Sequence, residues 1–365
     1  MAIALRHRDR TSRLTPFSLR RVAGAVLMLL ALGAAQSQPR KDVRDGWELA
    51  SPREQRLDVE RLTELVRALR SEQRGVRSVV IVRNGKLAFE YHRDGLGPLT
   101  LHDMHSATMS VVSTLAGIAL QQGFIKSVDQ PIADFLPQAL GEGVDARVGA
   151  MTLGHVLTLT AGYDPSIKQV GRWAFPVDFA LRRALVSDPG RTFNFNPATA
   201  HLAARVLVSA TGESLSQFAQ KQLFGPLRIE RYLWRIDRPG GSELGYAGLQ
   251  LTTRDMAKLG QLYLQHGFWN GKQLMPAHYV EAATRKQNGG GPPMHWGYGY
   301  SWWIAPSSRL PAPYMAGAAD GQRIYVSPSL SLVVVVASDF NQEGTGSQGQ
   351  VDVVINDIVL RVVRR

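Results

Sequence analysis

Residues 78–92 read Ser-Val-Val-Ile-Val-Arg-Asn-Gly-Lys-Leu-Ala-Phe-Glu-Tyr-His, two strand-like runs, 78–83 and 86–92, joined by Asn84-Gly85. Asn-Gly is the pair that best accepts the positive φ angles of a two-residue turn, so the stretch predicts a β-hairpin. Upstream, Asp58 is placed to cap a helix whose Leu62, Leu65, Val66 and Leu69 fall on one face. Strand signals return near the other end of the chain. Residues 323–326 and 332–338 flank a turn at Pro328, and 298–304 forms a third, aromatic-rich run. Finally, Val351, Val354, Ile355, Ile358, Val359 and Val362 repeat at helical spacing, and such a stripe must lie on something flat. Each end of the chain therefore supplies strands and one helix. The expected fold is α+β, with one antiparallel sheet of about five strands covered by the first and last helices.

Residues 106–293 alternate helical patterns with polar turns and predict a mostly helical lobe inserted into a sheet lobe made of 46–105 and 294–365. One helix spans 115–122 ahead of Gly123, and another spans 256–265 between Thr252 and Gly267. The run Gly289-Gly-Gly-Pro-Pro293 is the expected return linker.

The chain has 365 residues and no cysteine, which excludes disulfides, thiolate metal sites and a cysteine nucleophile. Its formal charge is +12, but Arg6, Arg8, Arg10, Arg13, Arg20 and Arg21 against Asp9 place +5 of this in the first 35 residues. The remainder is dispersed, and no basic run is interleaved with aromatics, so no nucleic-acid partner is expected. That basic opening, the apolar run 22–35 and the polar Gln36-Ser-Gln-Pro39 together read as a signal peptide over residues 1–35. Its apolar stretch is too short for a bilayer span. The expected location is periplasmic or secreted, with no membrane span after signal removal; an uncleaved anchor is the alternative.

Several catalytic motifs are absent: G-x-S-x-G, H-E-x-x-H, a Walker loop, and G-x-G-x-x-G after a strand. His102 and His105 have no obvious third ligand, so no metal or cofactor is expected. What remains is residues 101–120, Leu-His-Asp-Met-His-Ser-Ala-Thr-Met-Ser-Val-Val-Ser-Thr-Leu-Ala-Gly-Ile-Ala-Leu. With Gly46-Trp-Glu-Leu-Ala-Ser-Pro, Ser127-Val-Asp-Gln-Pro, Leu157-Thr-Leu-Thr-Ala-Gly, Gly245-Tyr-Ala-Gly-Leu-Gln-Leu-Thr, Tyr298-Gly-Tyr-Ser-Trp-Trp and Gly321-Gln-Arg-Ile-Tyr-Val, it resembles the serine β-lactamase and penicillin-binding-protein-like hydrolases. The resemblance is strongest to the branch of secreted esterases and 6-aminohexanoate-dimer hydrolases, and it runs from about Gly46 to the C-terminus. It implies a β-lactamase/transpeptidase-like fold, in agreement with the sheet and inserted lobe read above.

The resemblance also implies a nucleophilic serine at a helix start, a lysine three residues on that takes its proton, a tyrosine acid/base, and a K-T-G-like strand segment. Ser106 stands at the nucleophile position, but the lysine position holds Met109, and none of the eight lysines follows a Ser or Thr at that spacing. The tyrosine position holds Phe195, and the third element falls at Ala319-Asp320-Gly321, with Ala319 at the often basic position. A thioether and a phenyl ring keep shape and lose proton transfer. The expectation is a catalytically degenerate serine-hydrolase fold that binds a small amide, ester or peptide-like ligand through Ser106, Trp302, Asp320, Gly321 and Gln322. The alternative is an active amidase or esterase with an atypical base, His102 or His105. Without the resemblance, Ser106 reads more simply as a helix cap. Trp302 and Trp303 must point to opposite faces of their strand, so one at most lines a pocket.

Overall fold

The computed structural model describes residues 45–71, 75–165, 177–237, 241–308, 310–317, 321–339 and 347–364; the expected signal peptide, Ala319 and Asp320 lie outside them. Helix α1 (Val59–Ser71) starts where Asp58 Oδ1 accepts the backbone N–H groups of Glu60 and Arg61, at 3.0 and 3.1 Å. It buries Leu62, Leu65 and Leu69. Strands β1 (Val76–Arg83) and β2 (Lys86–His92) form the hairpin, with Asn84 and Gly85 at φ of 52° and 78°.

The inserted region begins with β3 (His102–Asp103) and α2 (Thr108–Gln121), followed by α3 (Leu153–Leu157), α4 (Val177–Leu181), α5 (Pro197–Thr211) and α6 (Leu215–Ala219). Strands β4 (Leu233–Trp234) and β5 (Leu249–Leu251) join β3 in a small sheet. Next come α7 (Thr253–Leu264), the short hairpin β6 (Phe268–Trp269) and β7 (Lys272–Gln273), and α8 (Ala277–Ala283). The chain then returns through β8 (Gly297–Tyr298), β9 (Trp303–Ile304), β10 (Tyr314–Ala316), β11 (Arg323–Ser327) and β12 (Leu332–Ser338) to α9 (Ser347–Asp357), which continues as a wider turn over Ile358–Val362.

The main sheet has seven strands, ordered β2-β1-β12-β11-β10-β9-β8, rather than the five expected. Two features account for the difference. The run 298–304 is not one strand: Ser301 adopts a left-handed φ of 60°, folding it into the β8–β9 hairpin. Strand β10 is only three residues long, between Pro313 and Gly317, too short to show alternation. Strands from opposite ends of the chain meet at the centre, where β1 pairs antiparallel with β12 from Val76↔Ser338 to Arg83↔Leu332.

Alternation along these strands builds two cores. Val79, Ile81, Val334 and Val336 pack with α1 and with Val351, Val354, Ile355, Ile358 and Val362 of the C-terminal helix. Val80, Val82, Val333 and Val335 face the inserted region. There α7 lies directly on the sheet, because a Cβ on Gly260 would stand only 2.6 Å from Val333 Cγ1. Thr252 caps α7 by accepting from the Asp255 N–H, as its position predicts. Among the described residues no helix is long and apolar enough to cross a membrane.

Candidate active site

The segment carrying Ser106 is held from both sides. His102 and Asp103 pair with Leu251 and Gln250 of β5, and the Met104 N–H donates to Leu249 O at 2.8 Å. Asp103 Oδ1 then accepts the His105 N–H at 2.8 Å, and His105 takes a left-handed φ of 44°. For a non-glycine residue this backbone is unfavourable by about 1 kcal/mol or more, a cost that recurs at functional sites. It turns the chain sharply into a single 3-10 turn, His105–Ala107, from which α2 continues. Ser106 is half-exposed on that turn, whereas Met104 and Ala107 on either side are buried. The cap position of α2 is Ala107, with no side-chain cap bond, so Ser106 is not the N-cap of α2.

Helix α2 is anchored by hydroxyls. Ser110 Oγ donates to Ser301 O at 2.6 Å, Ser113 Oγ donates to Tyr300 O at 2.7 Å, and Tyr279 OH donates to Ser113 O at 2.7 Å. Gly117 makes room for this, since a Cβ there would stand 2.6 Å from Tyr279 Cδ1. The first turn of the helix, and Met109 within it, is thereby held against the β8–β9 hairpin.

Met109 lies three residues beyond Ser106, one turn on, and is 4% exposed. Its surroundings are apolar: Leu159, Ala200, Met294, Tyr298 and Trp303 belong to the same buried cluster, and Phe193 and Phe195 pack on it. Phe195 stacks on Trp303 with ring centroids 5.9 Å apart and 26° between the planes. Phe193 contacts both Tyr298 at 5.1 Å and Trp303 at 5.7 Å, and those two rings meet edge to face at 4.7 Å. Burial pushes the Tyr298 phenol well above its ordinary pKa, against a smaller opposing pull from Ser301, so it stays protonated.

The loop bearing Phe193 and Phe195 is fixed by neighbours on both sides. The Asn194 N–H donates to Leu159 O at 2.8 Å, and Asn196 caps α5 by accepting from Ala198 and Thr199. Arg183 donates to Asn196 Oδ1 at 2.8 Å and to Thr199 Oγ1 at 3.0 Å, with its guanidinium 3.9 Å from the Tyr163 ring centroid. One turn into α5, His201 Nδ1 accepts the Gly245 N–H at 3.1 Å. Burial holds this imidazole at a pKa of about 4, and it is neutral at pH 7.

The structure thus places the family-derived positions 109 and 195 in one apolar cluster with Trp303. Trp302, expected beside the ligand, lies on the other side of the sheet, 4.4 Å from the Tyr263 ring and 5.5 Å from Tyr314. Trp303 instead faces the cluster and donates from Nε1 to Gly317 O at 2.7 Å. Gly321 and Gln322 sit just ahead of β11 and are tied to the end of β12: Ser338 Oγ donates to Gly321 O, and Gln322 Nε2 donates to Ser338 O. Sequence alternation showed that the two tryptophans diverge but not which one faces the site; Phe193, Tyr298, Leu159 and Met294 gave no separate signal.

Three lysines are engaged with carboxylates away from this cluster. Lys86 pairs with Glu48, Lys221 with Glu213, and the buried Lys258 with Asp255. The titratable groups next to Ser106 in the chain are Asp103 and His105, with Oδ1 and Nδ1 4.0 Å apart. His102 is buried and points to Ser78 Oγ, 3.3 Å from its Nε2. Among the described residues no three His, Asp or Glu side chains converge to hold a metal ion.

The family described as Beta-lactamase has a sequence model that matches residues 62–353. A 6-aminohexanoate-dimer hydrolase of Paenarthrobacter ureafaciens is 22% identical over 305 residues, 76% of each chain. Among solved structures, a penicillin-binding protein homologue from Caulobacter crescentus superposes with a TM-score of 0.66 at 15% identity, covering 82% of this chain and 96% of its own. The octameric penicillin-binding protein homologue from Pyrococcus abyssi gives 0.64 at 17% identity, covering 83% and 78%. These two similarities establish the fold.

Proposed function

The chain belongs to the beta-lactamase family, and on that premise we propose that this member binds a small amide, ester or peptide-like ligand beside Ser106 without efficient turnover. The observation that carries this reading is the packing of Met109 and Phe195 into one apolar cluster with Trp303 and Tyr298. A serine hydroxyl becomes a nucleophile only when a base accepts its proton, and neither a thioether nor a phenyl ring can do so. The half-exposed Ser106 remains within reach of an amide or ester. The 22%-identical 6-aminohexanoate-dimer hydrolase supports a ligand of amide type.

Loss of a positioned general base typically lowers rate by ~10²–10⁴. The purified chain is therefore expected to hydrolyse p-nitrophenyl esters and nitrocefin slowly at best, with no further loss in Ser106→Ala. Turnover at the rate of catalytically competent family members, abolished by Ser106→Ala, overturns this reading. It would establish the second one, an active amidase or esterase in which the Asp103–His105 pair serves as an atypical base. The left-handed backbone at His105 and the 4.0 Å separation of that pair favour this second reading.

The same proposal places the mature protein in the periplasm or outside the cell, on the strength of the basic and apolar opening ahead of Gln36. Protein recovered from the cell envelope is expected to begin near Gln36 by N-terminal sequencing. An intact Met1 or Ala2 terminus in the membrane fraction contradicts cleavage and identifies an anchor.

A further inference from the structure

A cleft of about 810 Å³ opens at the outer edge of the main sheet. It is bounded by the end of α8, by strands β8 and β9, and by residues 305–307 and 310–312. Neither Ser106, Met109, Phe195 nor Trp303 lines it. Its floor is apolar and buried, formed by Ile304, Tyr314 and Tyr263, and Trp296 and Pro311 stand at its sides. The volume lies within the range of pockets that enclose small organic ligands, and an apolar lining with a few charged groups is the usual composition of such sites.

The charged lining is unequal in sign. Two cations, Arg285 and Lys286, line it against one carboxylate, Glu281. Among the described residues neither Arg285 nor Lys286 pairs with a carboxylate, in contrast to Lys86, Lys221 and Lys258. Lys286 also rests on a prepared surface. A Cβ on Gly297 would stand 3.0 Å from Lys286 Cγ and 3.1 Å from Cδ, so the aliphatic stem lies across the glycine. A stem laid on backbone in this way delivers its ammonium to the cleft while its methylenes extend the apolar wall.

We infer that this cleft is a binding site for a small amphipathic carboxylate: an apolar body on the Ile304–Tyr314 floor, with its anion held by Arg285 and Lys286. An uncharged apolar ligand would leave both cations unused, and a small hydrophilic anion would leave the floor unfilled. Charge-assisted hydrogen bonds from a guanidinium and an ammonium to one carboxylate are the strong contacts available here.

The test is isothermal titration of the full chain with octanoate and with 4-phenylbutyrate, and with octanamide as the uncharged analogue. Saturable one-to-one binding of at least one carboxylate is expected, and the preferred one identifies an aliphatic or an aromatic body. Octanamide should bind about tenfold more weakly or worse, the size of a lost charge-assisted contact. The double variant Arg285→Ala with Lys286→Ala changes only exposed side chains and should weaken carboxylate binding by at least the same factor. Gly297→Ala, which displaces the lysine stem, should weaken it as well. The inference is overturned by failure of both carboxylates to saturate, by equal affinity for octanamide, or by unchanged affinity in the double variant.

Discussion

Met109→Lys combined with Phe195→Tyr is expected to accelerate fluorophosphonate labelling of Ser106 by ~10²–10⁴, the range a positioned general base contributes. Methionine and lysine are both long and unbranched, so the lysine can follow the path of the existing side chain, and Phe→Tyr adds a single hydroxyl. Electrostatics favours the chemistry and opposes the fold. Position 109 is 4% exposed among Leu159, Met294, Tyr298 and Trp303, where a charged ammonium is poorly solvated. Its pKa should fall accordingly, which supplies the neutral amine a base needs. The same desolvation destabilises the protein, so thermal melts must accompany labelling. Phe195→Tyr alone should change little, because a hydroxyl without the amine has no proton to relay. A double variant that melts like the parent while Ser106 stays unlabelled contradicts the assignment of positions 109 and 195.

Stability should fall steeply as the pH drops from 6.5 towards 4. Burial holds both His102 and His201 at a pKa of about 4, and Arg77 and His92 add to the depression at His102, with Asp339 opposing. In the unfolded chain both imidazoles titrate near their ordinary value of about 6.5. Between these pH values the unfolded state binds more protons than the folded one. Stability is therefore fully present above about 6.5 and is lost as pH falls through the folded values. At 1.36 kcal/mol per pH unit, each histidine accounts for up to roughly 3 kcal/mol over that interval.

Glu90 acts lower on the scale. Its burial alone would raise its pKa, but hydrogen bonds from His92 and Arg254 outweigh that and hold it at about 2. Its contribution is present above its unfolded value near 4.5 and is lost only as pH falls towards 2. Melting temperature measured from pH 7.5 to 4 should therefore drop before Glu90 titrates. His201→Asn, which keeps an acceptor for the Gly245 N–H, should flatten the curve. A melting temperature constant across this range contradicts the account of the two buried histidines.

The parts of the fold legible in the sequence were those governed by neighbours in the chain. Asn84-Gly85 fixed a turn through its own backbone preference, Asp58 and Thr252 capped the helices that follow them, and the stripe from Val351 to Val362 found the sheet it required. The division of 298–304 into β8 and β9 depended instead on Ser301, held by Leu157 O and Ser110, residues 144 and 191 positions away. The same distinction applies to the site. Positions 106, 109 and 195 came from the family resemblance, whereas which of Trp302 and Trp303 packs with Phe195 depended on the fold of the strand.

The most direct test of the degenerate-site account is a mass-spectrometric time course of Ser106 modification by a fluorophosphonate in the wild-type protein, beside Ser106→Ala and the Met109→Lys, Phe195→Tyr variant. The account predicts that wild type labels scarcely faster than Ser106→Ala, while the double variant labels rapidly. Rapid, stoichiometric modification of Ser106 in the wild-type chain would contradict it.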